Sequence, residues 1–120
     1  MPSVAPQPLK GYQRKYLRAM AHGLKPVLLI GQRGITPAVA LEMEEALNRH
    51  ELIKIKFIES KGKSAKQKMV EALREAVRAH LVGMIGHTAI FFRSNPDPEK
   101  QKIHPPQRPS NDTDEGLAAS

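Results

Sequence analysis

Lys25-Pro26-Val27-Leu28-Leu29-Ile30-Gly31-Gln32-Arg33-Gly34-Ile35-Thr36-Pro37 is the stretch that decides the fold. The apolar run Val27 to Ile30 predicts a short strand, Gly31 to Gly34 a G-x-x-G turn, and Thr36-Pro37 the start of a helix. The Thr36 hydroxyl can accept from an orphan amide of the first helical turn, and proline at the first helical position sacrifices no hydrogen bond. Gly31 and Gly34 lack a Cβ, so the backbone can bend there and another chain can come close. Unpaired amides at a helix N-terminus, backed by the dipole, favour an anion such as phosphate. Arg33, in the middle of the turn, would meet the same anion. Two glycines so spaced also serve as a plain strand-to-helix turn. The setting separates the readings: strand before, capped helix after, arginine inside, and a basic arm around it.

Working outward toward the N-terminus, Leu9, Tyr12, Tyr16, Leu17 and Met20 recur at helical spacing over Leu9–Ala21, with Arg14, Lys15 and Arg18 largely on the other side. Gly23 suits the C-cap. The tyrosines read as core before they read as stacking platforms for bases. Residues 1–8 carry Pro2, Pro6 and Pro8 and read as a loose leader.

Toward the C-terminus, a second helix is expected from Pro37 to about His50, burying Val39, Met43, Ala46 and Leu47. Leu52 to Ile58 alternates apolar and basic, the pattern of a strand packed on one face, with Lys54 and Lys56 together on the wet side. Those lysines either touch phosphate or solubilise the strand. Glu59 to Lys63 reads as a polar loop. Ser64 with Gln67 forms a capping-box pattern, and Met69, Val70, Leu73, Ala76, Val77 and His80 continue a third amphipathic helix. Two strands, about Leu81–Ile85 and Ala89–Arg93, are joined through Gly86-His87-Thr88. The order α-β-α-β-α-β-β makes this an α/β domain with a four-stranded mixed sheet, because strand–helix–strand units favour parallel neighbours and the hairpin is antiparallel. From residue 95 the chain is Pro-rich with almost no apolar residues, and 95–120 reads as a flexible tail.

A chain of 120 residues, 40 % apolar with three Phe, two Tyr and no Trp, predicts one domain with an aliphatic core. With no cysteine, disulfides, thiolate zinc sites and cysteine nucleophiles are excluded. No apolar run approaches a membrane span, and the N-terminus lacks signal-peptide features, so the expected location is cytoplasmic. The net charge is +7, and residues 1–41 hold Lys10, Arg14, Lys15, Arg18, Lys25 and Arg33 without one acid. Such a one-sided field concentrates polyanions, although a basic surface also simply keeps a protein soluble.

Enzymatic chemistry finds no constellation. Gly62-Lys63-Ser64 sits between a strand and a helix as the end of a phosphate loop does, yet the glycine required five residues earlier is Phe57. His22, His50, His80, His87 and His104 form no i, i+4 pair, so no metal site is expected and helix-end capping is their expected job. No serine lies in a nucleophile elbow. No cofactor and no small-molecule substrate are expected.

Leu24-Lys25-Pro26, Ile30-Gly31-Gln32-Arg33-Gly34-Ile35-Thr36, His50-Glu51-Leu52-Ile53-Lys54-Ile55-Lys56, Ile85-Gly86 and Phe92-Arg93 resemble the CRM domain, the domain of chloroplast RNA splicing and ribosome maturation. The likeness covers roughly residues 8–94, with the blocks in the family's order. A single domain with short tails resembles the stand-alone bacterial YhbY-type members more than the multi-domain plant splicing factors. The resemblance implies a fold similar to the C-terminal domain of translation initiation factor three. It also implies RNA binding through the G-x-x-G loop and association with precursors of the large ribosomal subunit. Carried over, Gly31, Gln32, Arg33 and Gly34 form the loop, with Lys25 and the basic first helix beside it.

The sequence therefore predicts a non-enzymatic, monomeric RNA-binding protein with its domain over residues 9–94. Loop amides and Arg33 hold a phosphate, while Lys10, Arg14, Lys15, Arg18, Lys25 and Lys54 supply counter-charge. The alternatives are a protein–protein adaptor docking an acidic or ribosomal partner, a DNA-binding protein, and a nucleotide hydrolase at Gly62-Lys63-Ser64.

Overall fold

The structure, a computed structural model, describes residues 9–31, 33–58 and 62–107. Its elements are α1 (Gly11–Ala21), β1 (Leu28–Ile30), α2 (Pro37–His50), β2 (Leu52–Phe57), α3 (Lys63–Val77), β3 (His80–Ile85) and β4 (Thr88–Phe92), followed by a 3-10 turn at Pro98–Lys100. The four strands form one mixed sheet in the order β1-β2-β4-β3. β1 and β2 are parallel, joined through α2, while β4 is antiparallel to both β2 and β3. The expected α/β order and mixed sheet are therefore present. The β3–β4 hairpin returns its second strand to β2, so β3 ends at the far edge.

The period of two in each strand sends side chains to two separate cores. Ile53, Ile55 and Phe57 of β2, with Leu28, Ile30 and Phe91, pack under Met43 and Leu47 of α2 and Val70, Leu73 and Val77 of α3. Leu52, Val82, Ile90 and Phe92 face the other way and are covered by Leu17 and Ala21 of α1. Two helices thus cover one face completely, while α1 covers only part of the other.

Local chemistry explains the boundaries. The Thr36 hydroxyl accepts from the Val39 amide at 3.1 Å and Pro37 opens α2, as expected. The capping box at Ser64 does not form: α3 begins at Lys63 with Gly62 as its N-cap, leaving Ser64 already inside the helix. α3 ends without a glycine, because Arg78 takes the left-handed conformation (φ 54°). His80 is accordingly the first residue of β3 and not part of α3; its ring stacks on Phe92 at 6.3 Å. Ala76 is exposed. Gly86 at φ 60° occupies the first position of a two-residue hairpin turn, where a side chain would be strained.

On α1, Tyr16 and Met20 are 39 % and 41 % exposed and do not enter the core. Only Leu17 and Ala21 of that helix are buried. Gly23 is not left-handed; the helix ends through His22, whose amide donates to Ala19 O.

The expected flexible tail is corrected over residues 95–107. Composition hid a single anchor, Glu51, which is 1 % exposed at the end of α2. Its carboxylate accepts from the amides of Asn95, Lys102 and Ile103. Ile103 then packs beside the α1 core, and Tyr12 donates to Gln107 O at 2.7 Å. The leader 1–8 and residues 108–120 lie outside the described residues. No helix among the described residues is long and apolar enough to cross a membrane.

Candidate nucleic-acid interface

The backbone of β1 runs straight into the glycine turn. The Gly34 amide donates to Gly31 O at 3.0 Å, closing a four-residue turn, and Gly34 sits at φ 68°. That conformation suits glycine and strains other residues. A Cβ on Gly34 would lie 3.7 Å from Met69 Sδ of α3. A Cβ on Gly31 would lie 3.6 Å from Ile58 Cδ1. The turn therefore rests on α3 below and on the end of β2 beside it. Arg33 is exposed and Gly31 and Gly34 are half-buried; Gln32 lies outside the described residues. Because Gly34 N–H is consumed by the turn, the amides open to an anion are fewer than the sequence implies.

α1 crosses the opposite sheet face with two unlike flanks. Residues i and i+4 share a flank. Arg14 and Arg18 form one, and Tyr12, Tyr16 and Met20 the other. The stem of Arg18 lies against β3: a Cβ on Gly83 would come within 3.2 Å of its Cδ. Met20 instead faces Leu24, Val27, Leu52 and Ile103. Gly83 lies on β3, the edge strand farthest from β1, so the arginine flank faces the β3 edge and the Met20 flank faces the β1 edge. Lys15 points outward and is exposed.

The expected cations are not all brought together. Lys25 precedes β1 while the turn follows it, a separation of about 20 Å at strand rise. Lys25 stands instead beside Met20, Leu24 and His50. Lys54 is spent on structure, its ammonium donating to Leu24 O at 3.0 Å and His22 O at 3.4 Å. There it holds the exposed carbonyls at the end of α1, the end whose dipole favours a cation. Lys10 is exposed at the N-cap of α1, and Arg14 donates to Leu9 O. Lys56, two residues beyond Lys54, is exposed on the same sheet face and lies beside Leu29 of β1. Alternation pairs the two lysines; only the reach of α1 distinguishes them. Lys66 of α3 donates to Gly86 O at 3.3 Å and lies 3.0 Å from His87 Nδ1, fastening the hairpin near the turn.

Both ion pairs among the described residues are elsewhere, Arg74–Glu71 and Arg93–Glu44. Arg33, Lys56, Lys15 and Arg18 have no carboxylate partner among the described residues.

Fold and turn together define a class: a small α/β domain in which a G-x-x-G turn joins an edge strand to a helix and a basic helix crosses one sheet face. Residues 9–93 match the family model described as the CRS1 / YhbY (CRM) domain, and the chain belongs to that family. A Haemophilus influenzae protein named "RNA-binding protein" is 36 % identical over 96 residues, which cover 80 % of this chain and 93 % of that protein. A Pseudomonas aeruginosa protein named "Probable RNA-binding protein" is 39 % identical over 88 residues, 73 % of this chain and 84 % of its own. The solution structure of SAV1595 from Staphylococcus aureus aligns with a TM-score of 0.67 at 30 % identity, covering 80 % of this chain and 99 % of that one.

Proposed function

We propose that this domain binds RNA and assists assembly of the large ribosomal subunit, gripping rRNA backbone through the Gly31–Gly34 turn. The observation that carries this reading is Arg33: exposed on a hydrogen-bonded turn between β1 and α2, beside Met69 of α3 and the end of β2. Phosphate contacts fix position without reading sequence, and a hydrogen-bonded turn that presents an exposed guanidinium suits that task. The names of the relatives support RNA as the ligand. The proposed role is binding without catalysis.

Salt titration of affinity for an rRNA fragment tests the clamp. Engagement of about six phosphates makes log affinity fall against log salt with a slope near −4 to −5. A slope near −1 overturns it. Association with large-subunit precursors is tested by co-sedimentation from cell extract; failure to migrate with them removes the assembly role and leaves RNA binding standing.

A second reading, an adaptor for a protein partner, is favoured by an apolar groove of about 300 Å³ between Met20, Leu24, Val27, Leu52 and Ile103, at the opposite end of β1 from the turn. Purified protein free of nucleic acid yet retained by a ribosomal protein at high salt would favour it.

A further inference from the structure

On the face that carries α1, the strand registers place four side chains in one row across the whole sheet. Leu29 of β1 is beside Lys56 of β2, Lys56 is beside Thr88 of β4, and Thr88 is beside Ile85 of β3. α1 stops short of this row, since it buries Leu52, Val82, Ile90 and Phe92 on the other half of the face. Leu29 is 58 % exposed and Ile85 59 %, while Ile58, continuing β2 past the row, is 53 % exposed. Scattered exposed aliphatics are ordinary on any protein. These three share one face of one sheet end, and Ile58 stands beside Gly31, where an added Cβ would lie 3.6 Å from its Cδ1.

We infer that this uncovered floor receives unstacked bases of single-stranded RNA while the glycine turn holds the adjoining phosphate. The inference rests on the proposal that the turn binds RNA, and it adds which form of RNA and where the bases go. The floor spans about 14 Å from Leu29 to Ile85, three inter-strand spacings, enough for a short run of bases. Cations stand along it: Arg33 at the turn beyond β1, Lys56 within the row, and Arg18 over Gly83 of β3, two residues before Ile85. Apolar side chains interleaved with cations that have no carboxylate partner among the described residues match a strand that alternates flat apolar bases with anionic phosphates. A duplex turns its bases inward and could reach only the cations. An acidic protein segment would satisfy the cations too, and it is one outcome of the test.

The test is the triple variant Leu29→Ser/Ile58→Ser/Ile85→Ser, all solvent-facing, compared with Arg33→Glu. Both are titrated with a short single-stranded RNA of mixed sequence and with a blunt RNA duplex of equal length. The triple variant is expected to lose about tenfold in affinity for the single strand, with an unchanged salt slope and an unchanged duplex affinity. Equal single-strand affinity in variant and parent overturns the floor, even if the triple variant loses a protein partner instead. Loss on Arg33→Glu alone would then leave the clamp intact, whereas no loss on Arg33→Glu removes the underlying reading. Photocrosslinking of thiouridine-containing RNA to the unmodified protein gives an answer that does not depend on folding of the variant. Adducts at Leu29, Lys56 or Ile85 support the floor, and adducts confined to Arg33 and α1 overturn it.

Discussion

The Asn95 amide donates to Glu51 Oε2 at 2.6 Å, tying the chain after β4 to the residue that ends α2. The other oxygen accepts from Lys102 at 2.8 Å and Ile103 at 2.9 Å, so one carboxylate gathers three amides. Glu51 does this at φ 66°, a conformation that is uncommon for a residue with a Cβ and is held by its surroundings. Glu51→Ala is expected to destabilise the domain by about 3 kcal/mol, because three partly buried donors lose a charged acceptor. Chemical denaturation measures the loss. Hydrogen exchange should show Lys102 and Ile103 becoming unprotected while Ile55 remains protected; protection unchanged at Lys102 would remove Glu51 as the anchor.

Arg93 performs a similar task between the two helices on the other face. Its Nη1 donates to Val77 O at 2.7 Å and Glu44 Oε1 at 2.9 Å, and Nη2 donates to Asn48 Oδ1 at 2.8 Å. A lysine supplies charge without the planar fork. Arg93→Lys is therefore expected to cost about 1–2 kcal/mol, and Arg93→Ala more. Equal melting temperatures for the lysine variant and the parent would refute the need for the fork.

Much of this fold was legible because local signals agreed with one another. Thr36-Pro37 started a helix, β2 alternated, and Gly86 turned a hairpin, each through chemistry within a few residues. What stayed hidden was tertiary. Nothing near Lys54 or Lys56 in the sequence indicates that the end of α1 reaches Lys54 and not Lys56. Nothing in the Pro-rich stretch after Ser94 announces that Glu51, over forty residues earlier, will receive its amides. Tyr16 and Met20 keep helical spacing, yet α1 lies on the sheet along the narrower Leu17–Ala21 line. The glycine turn was legible as a turn, but the bare sheet beside it required strand order.

His80 gives the fold a pH dependence. Burial at the start of β3, then the nearby Arg74 guanidinium, lower its pKa below the ordinary 6.5. The folded state thus binds the proton less readily than the unfolded chain. Its contribution to stability is complete above pH 6.5 and is lost as pH falls below that value toward the folded pKa. Thermal melts across this range should show stability rising with pH, and His80→Gln should flatten that part of the profile. An unchanged profile in the variant would assign the dependence to another group.

Two cations on either side of β1 separate a binding role from a structural one. Arg33 is exposed and donates to no carboxylate among the described residues, so Arg33→Glu should leave the melting temperature within about 1 °C. It should weaken RNA binding roughly tenfold or more and make the salt slope shallower by about one. Lys54, whose ammonium holds Leu24 O and His22 O, should behave in the opposite way. Lys54→Ala is expected to cost under about 1 kcal/mol of stability while leaving RNA affinity within about twofold, because its charge already faces backbone carbonyls. Arg33→Glu removes two units of charge from the same strongly basic chain and Lys54→Ala removes one. A loss in log affinity for Arg33→Glu only twice that for Lys54→Ala would mean that RNA responds to net charge alone, and the glycine turn would then have no special part in holding it.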